Sequence, residues 1–196
     1  MAAQPSIGIA GAGLLGRLLA WQLARRGNSV SVFDAAPGPR PTFDGQQAAG
    51  FSAAGMLSPL AELDNSSAEV ATLGWRSIAL WREIIGELNA RPDFAERGSL
   101  LLVHRSDVGT AHRVLARLSQ ARPGTPQAQP LDAKAQAELE PSLHGAAMAW
   151  LLPGEAQIDT VAAMQALHAE ALGVNWYWGR RVTAVRPGAL GLEGSA

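Results

Sequence analysis

The sequence predicts an α/β protein that opens on a Rossmann-like βαβ unit, and three observations predict it. A run of small and β-branched residues, Ile7-Gly8-Ile9-Ala10, leads straight into glycines at 11, 13 and 16. A helix-length segment, 14–26, follows, and a second apolar strand, 30–33, ends on Asp34. Strand, glycine turn, helix and strand in this order form the dinucleotide-binding arrangement.

Each glycine has a mechanical reason to be there. Gly11 allows the tight turn, Gly13 lets a pyrophosphate approach the backbone, and Gly16 lets helix and strand pack closely. Ala20 lies one turn beyond Gly16 on the strand-facing side, flanked by Leu19 and Leu23, and Gly27 closes the helix. Asp34, about twenty residues past the glycines, stands where a carboxylate accepts hydrogen bonds from the ribose hydroxyls of an adenosine. The same carboxylate would repel a 2′-phosphate, which disfavours NADP.

Composition excludes several function classes. The 196 residues suffice for the core of one ordinary domain or one and a half small ones. With 17 acidic and 16 basic residues the net charge is -1, so electrostatics make no case for nucleic acid or an anionic membrane surface. The absence of cysteine removes disulfides, thiolate nucleophiles and thiolate metal sites. The first five residues lack a basic leader region, and the apolar run after them is broken by glycines and Arg17. No signal peptide or membrane span is therefore expected, and the location expected is cytoplasmic. The four histidines show no metal-ligand spacing, and no serine has a G-x-S-x-G context. Glu62 with Asp64, and Asp93 with Glu96, read as solvated surface charges. Lys134 is the only lysine, as codon bias would explain.

After Asp34 the segment 35–47 is too rich in proline and glycine for a helix or a central strand. It ends in AAGFSAAGML, where small residues suggest a short helix beginning near Ser52. On the residues alone, that stretch is either a second set of backbone N–H groups reaching a large cofactor or a tight helix-packing seam.

The combination GAGLLG, a strand ending in Asp34, and SAAGML followed by Pro59 and Glu62 resembles the D-amino acid oxidase family of FAD-dependent amine oxidases, and within it the glycine oxidase branch of thiamine biosynthesis. The resemblance implies FAD, held by a glutathione-reductase-type nucleotide domain into which an α+β substrate domain is inserted. It implies that Gly11, Gly13, Leu14, Leu15 and Gly16 meet the pyrophosphate, that Asp34 and Ala35 meet the ribose, and that Ala54, Gly55 and Met56 meet the flavin end. Met56 is then a neighbour of the isoalloxazine, or else an ordinary core methionine. Val182 matches a family position whose backbone meets the adenine.

The remaining elements follow in order. Ser66 and Glu69 form a capping box, and Val70, Leu73, Ile78, Trp81, Ile85 and Leu88 mark the apolar face of one long helix to about residue 90. Trp75 and Trp81 are expected to pack rather than bind. Segment 98–104 reads as a buried strand and 106–121 as a helix capped by Ser106 and stopped by Pro123-Gly124. A proline-rich link, 123–130, precedes a short helix, 132–139, stopped by Glu140-Pro141, and 145–152 reads as another strand. Asp159 caps a helix over 160–172 that Gly173 closes. Short strands at 175–178 and 181–186, with Trp176 and Trp178 packing on one face, and a turn at Pro187-Gly188 leading to 189–193, complete the pattern. The organisation expected is 1–90 nucleotide domain, 91–153 part of the substrate domain, and 154–196 return to the nucleotide domain.

The resemblance spans the whole chain but about half of a family member. The arginine that binds a substrate carboxylate and the aromatic residues closing the pocket are then expected beyond residue 196, and no catalytic residue is assigned. A helix N-terminus stabilises an anion by at most about 2 kcal/mol, whereas micromolar binding needs about 8, so these residues alone are expected to hold FAD weakly or not at all. The activity implied is oxidation of glycine, a D-amino acid or a small amine to the imine with O₂, the flavin carrying the difficult step. A dehydrogenase with another acceptor, an inactive nucleotide-binding fragment and, last, an NAD-dependent dehydrogenase stay open. So does self-association.

Overall fold

The structure, a computed structural model, describes residues 6–45, 47–64, 66–119 and 126–194. In chain order its elements are β1 (Ser6–Ala10), α1 (Leu14–Arg25), β2 (Ser29–Asp34), β3 (Met56–Leu57), α2 (Ala68–Glu87), β4 (Phe94–Ala95), β5 (Ser99–Val103) and α3 (Val108–Leu118). There follow β6 (Gln129–Leu131), α4 (Ala133–Leu139), β7 (Met148–Leu152), β8 (Ala156–Ile158), α5 (Thr160–Glu170), β9 (Asn175–Trp178), β10 (Val182–Arg186) and β11 (Ala189–Leu192). They fall into two compact units. One comprises Met1–Gly55, Ile85–Asp93 and Asp159–Ala196, the other Met56–Ile84 and Phe94–Ile158.

The first unit is the predicted βαβ arrangement. β1, β2 and β9 form a parallel sheet with β2 in the centre. Its apolar core is Ile9, Ala12, Ala20, Val30 and Val32, with Leu23, Trp176 and Trp178 packed against it. Ala20 is fully buried, as expected, but Leu19 is 43% exposed. α1 ends on a left-handed Gly27 (φ 81°), whose N–H meets the Ala24 carbonyl while that of Asn28 meets Leu23, a Schellman closure. Register pairs Phe33 with Tyr177 and Asp34 with Trp178, and the Phe33 and Tyr177 rings stack at 4.7 Å. Asp159 caps α5 by accepting from the Ala162 N–H, as its position foretold. β10 and β11 form an antiparallel hairpin.

The second unit is α+β. β8 lies between β3 and β4, β7 lies between β5 and β6, and every pairing is antiparallel. Glu155 is fully buried here, its carboxylate accepting the N–H groups of Leu60 (2.8 Å) and Ala61 (2.9 Å) and the hydroxyl of Ser99.

Several local expectations need correction. α2 begins after Ser67, not Ser66, whose hydroxyl donates back to the Glu62 carbonyl. Val70 and Leu73 are 49% and 62% exposed, because the helix buries Ala71 and lays Gly74 against Pro59, where even a methyl would come within 3.0 Å. Trp75 packs in that unit's core and Trp81 is buried, as expected. Ser106 lies in a 3-10 turn, Arg105–Asp107, and caps nothing. The helix stop assigned to Pro123-Gly124 and the leader reading of residues 1–5 lie outside the described residues. The proline-rich link contains β6, an edge strand, where proline is tolerated. No helix begins at Ser52. A 3-10 turn, Ala49–Phe51, precedes it, and Gly55 at φ 80° turns the chain into β3.

Candidate functional site

The β1–α1 turn shows what each glycine is for. Gly11 stands at φ 96°, a backbone conformation that L side chains rarely adopt, and its N–H donates to the Phe33 carbonyl at 2.8 Å. A Cβ at Gly16 would lie 1.9 Å from the Gly11 carbonyl oxygen, so helix and turn touch only because that atom is missing. Gly13 differs: its φ of -69° and ψ of -171° suit any residue, and a Cβ there would meet only the Ala48 Cβ at 3.7 Å. The fold requires glycine at 11 for conformation and at 16 for space. At 13 it requires nothing, and a side chain would fill open space in front of the helix.

That open space faces the positive end of α1. Gly13 is the N-cap residue but supplies no capping side chain, and no acidic residue occupies the first turn. The first bond of the helix runs from the Arg17 N–H to the Gly13 carbonyl at 3.0 Å. The N–H groups of Leu14, Leu15 and Gly16 therefore have no intrahelical acceptor, and an anion at this position would receive them.

Asp34, at the tip of β2, grips the turn from the other side. Its Oδ2 accepts the Ala12 N–H at 2.5 Å and its Oδ1 the Ala36 N–H at 2.7 Å. A carboxylate oxygen accepts more than one hydrogen bond, so the outer lone pairs stay available to a ligand hydroxyl.

A residue that the sequence reading passed over stands beside it. Arg17 is 1% exposed, and its guanidinium donates to three backbone carbonyls: Nε to Ala12 (2.7 Å), one terminal nitrogen to Met164 (2.8 Å) and the other to Pro39 (2.8 Å). The rings of Phe51 and Trp178 lie 5.1 and 5.8 Å from its carbon. Burial lowers its pKa to about 10, and the charge of Asp34 opposes that shift. His168, edge-on to Trp176 and Trp178, is held below the usual histidine pKa by burial and by the charge of Arg17. The one available sequence signal was an arginine interrupting the apolar run LLGRLLAW.

Two hollows flank the turn. One, of about 350 Å³, is lined by Ala12, Arg17, Asp34, Ala35, Phe51 and Trp178 among others. The second, of about 540 Å³, is a shallow, mostly apolar groove lined by Gly11, Gly13, Leu14, Leu15 and Gly16 together with Ala49, Gly50 and Ala53. The structure thus brings Asp34 and Ala35 to one hollow and the glycine-turn residues to the other. Ala54, Gly55, Met56 and Val182 line neither. Met56 is 59% exposed at the start of β3, which removes its reading as a core methionine. Gly50, whose Cβ would lie 3.1 Å from the Met164 sulfur, gives the small-residue stretch a packing role as well. Among the described residues no cluster of His, Asp and Glu could hold a metal ion, and no helix is long and apolar enough to cross a membrane.

Comparison with known proteins agrees with this geometry. A family model described as FAD dependent oxidoreductase (DAO) matches residues 6–195. The crystal structure of a glycine oxidase from Geobacillus kaustophilus is 26% identical, with a TM-score of 0.77 over 95% of this chain and 51% of that one. A glycine oxidase from Bacillus cereus is 18% identical, with a TM-score of 0.73 over 94% of this chain and 50% of that one. An L-proline dehydrogenase from P. horikoshii is 20% identical, with a TM-score of 0.70 over 98% of this chain and 50% of that one. The chain thus spans about half the length of the solved structures it matches. No curated protein matches it in sequence.

Proposed function

Because the chain belongs to the DAO family of FAD-dependent oxidoreductases, we infer that it supplies the nucleotide-binding half of an oxidase acting on glycine, a D-amino acid or a similarly small amine, with O₂ as acceptor. Oxidation of the C–N bond to an imine, which water then hydrolyses, is the chemistry that FAD supplies when bound.

The observation that carries the assignment is the glycine turn, where only Gly13 has no structural need to be glycine. Gly11, Gly13, Leu14, Leu15 and Gly16 take the diphosphate: Gly13 leaves room for it, and the unpaired N–H groups of Leu14, Leu15 and Gly16 face it. Asp34 accepts the ribose hydroxyls, and the adjoining Ala35 forms the wall of the same hollow. The adenine end is assigned to the backbone of Val182, next to the hollow-lining Arg181. The flavin end is assigned to Ala54, Gly55 and Met56, of which Met56 is exposed at the start of β3 and open to a ring. A cytoplasmic location belongs to the same reading.

The glycine oxidase at 26% identity supports the choice of a small amino-acid substrate. The L-proline dehydrogenase shares the fold, so the fold does not select the acceptor. The test is a flavin titration of a full-length protein that carries this chain together with the substrate-binding half, followed by turnover of glycine, D-alanine and sarcosine. Peroxide release supports the oxidase, dye reduction without peroxide makes the protein a dehydrogenase, and turnover of none of the three sinks the substrate class.

A further inference from the structure

Ala12, the residue between the first two glycines, is gripped from both sides. Its N–H donates to Asp34 Oδ2 at 2.5 Å, and its carbonyl accepts from Arg17 Nε at 2.7 Å. No cis peptide is present among the described residues, and across a trans peptide the C=O of one residue and the N–H of the next point in opposite directions. An Ala12 carbonyl turned inward onto Arg17 therefore turns the Gly13 N–H outward, to the open side of the turn. The arrangement is reversible in principle, because a rotation of that peptide takes residue 13 to positive φ, which glycine alone visits freely.

We propose that Arg17 is the positioning residue of the anion site, its guanidinium holding the Ala12–Gly13 peptide with the Gly13 N–H presented to a ligand diphosphate. Ala12 is only 3% exposed, so without Arg17 its carbonyl is buried with no donor. Rotation toward the open side would hydrate that oxygen, pointing it at the anion and withdrawing the N–H. The guanidinium is itself held in place. Its two other bonds go to Pro39, in the loop after β2, and to Met164 in α5, and Phe51 and Trp178 pack beside it. An apolar side chain would fill the same space more cheaply than a buried cation. The identity of the anion rests on the FAD reading; the orientation of the peptide does not.

The test compares the protein with its Arg17→Met and Arg17→Lys variants by calorimetric titration of ADP and of adenosine, and by the residual dipolar coupling of the Gly13 N–H without ligand. In Arg17→Met the ADP affinity falls about tenfold, the size of one charge-assisted hydrogen bond. Adenosine binding stays within about twofold, and the Gly13 coupling changes. Arg17→Lys, which keeps the cation but lacks the planar fork, falls between. An equal loss for ADP and adenosine would reduce Arg17 to a structural prop, and an unchanged coupling in a folded variant would overturn the proposal. If Arg17→Met does not fold, the ADP-to-adenosine ratio in Arg17→Lys decides by the same criteria. A full-length protein that binds neither FAD nor ADP removes the FAD reading and leaves the coupling to judge the peptide.

Discussion

Replacing Gly13 and Gly16 separately by alanine should split stability from ligand binding. At 16 the new Cβ lands 1.9 Å from a backbone oxygen, well inside the 3.4 Å at which ordinary contact begins, and a backbone atom does not swing aside as a flexible side chain would. Relief requires α1 to lift off the turn, an overpacking cost at the upper end of the usual range, about 3 kcal/mol. For a chain of this size that lowers Tm by roughly 6–12 °C. At 13 the backbone already suits alanine and the nearest neighbour is 3.7 Å away. A gain of about 0.4–1 kcal/mol from a stiffer unfolded chain is set against the poorer N-cap that alanine makes, so Tm stays within about 2 °C. The same methyl stands where the diphosphate would approach, and loss of one or two charge-assisted hydrogen bonds weakens FAD about ten- to a hundredfold. Thermal melting of both variants and titration with FAD, followed by flavin fluorescence, read the two effects. Equal destabilisation by the two alanines, or wild-type FAD affinity in Gly13→Ala, would refute the assignment of the turn.

Three other outcomes follow from the buried polar groups. Asp34→Asn keeps one acceptor for the Ala12 or Ala36 N–H, sets an amide N–H against the other, and removes the negative charge facing Arg17. It should weaken ADP about tenfold in calorimetry, with a stability loss of about 1.5–3 kcal/mol in urea unfolding. Glu155→Gln keeps one oxygen for the two N–H groups that already share Oε1 but makes that acceptor neutral and turns Ser99 from donor to acceptor, so unfolding should cost about 1–2 kcal/mol less in urea while ADP binding holds. His168 is held below its unfolded pKa, so the unfolded chain binds the proton more readily and stability is lost as pH falls below about 6.5. Urea midpoints at pH 7.5 and 5.5 should therefore converge in His168→Gln, and an unchanged gap would clear His168 of the effect.

The βαβ unit was legible because its signals are local. Glycines, a closing Gly27 and an acidic strand tip act within a few residues of where they stand. The cap at Asp159 was legible for the same reason, accepting an N–H three residues on. Errors came where a distant segment decided. Spacing places Val70 and Leu73 on the apolar face, yet Pro59 selects the face with Gly74, which no periodicity can weigh. The two-residue strands β3 and β4 exist only as partners of β8, roughly 100 and 60 residues later. Arg17 escaped notice because its three acceptors lie 5, 22 and 147 residues away, and a lone arginine carries no spacing to read.

Arg17 and Glu155 obey one rule from opposite charges. Each is almost wholly buried, and each is satisfied by neutral hydrogen-bonding groups, chiefly of the backbone, instead of by an ion pair. A buried ion pair fixes two side chains to each other and often adds no net stability over apolar packing. A buried charge bound to several dipoles fixes instead the chain segments that carry them, because each donor or acceptor that drifts away leaves part of a charge desolvated without compensation. Arg17 thereby ties the glycine turn, the loop after β2 and α5 into one geometry within the first unit, and Glu155 ties β5 to the 3-10 turn Ala61–Asp64 within the second. The two differ in what lies alongside. Glu155 uses its carboxylate on its own unit, whereas the guanidinium of Arg17 borders the same hollow as Asp34. The cost of burying Arg17 is therefore tied to ligand geometry, and its replacement should show first in the affinity for ADP, whereas that of Glu155 should show in stability alone.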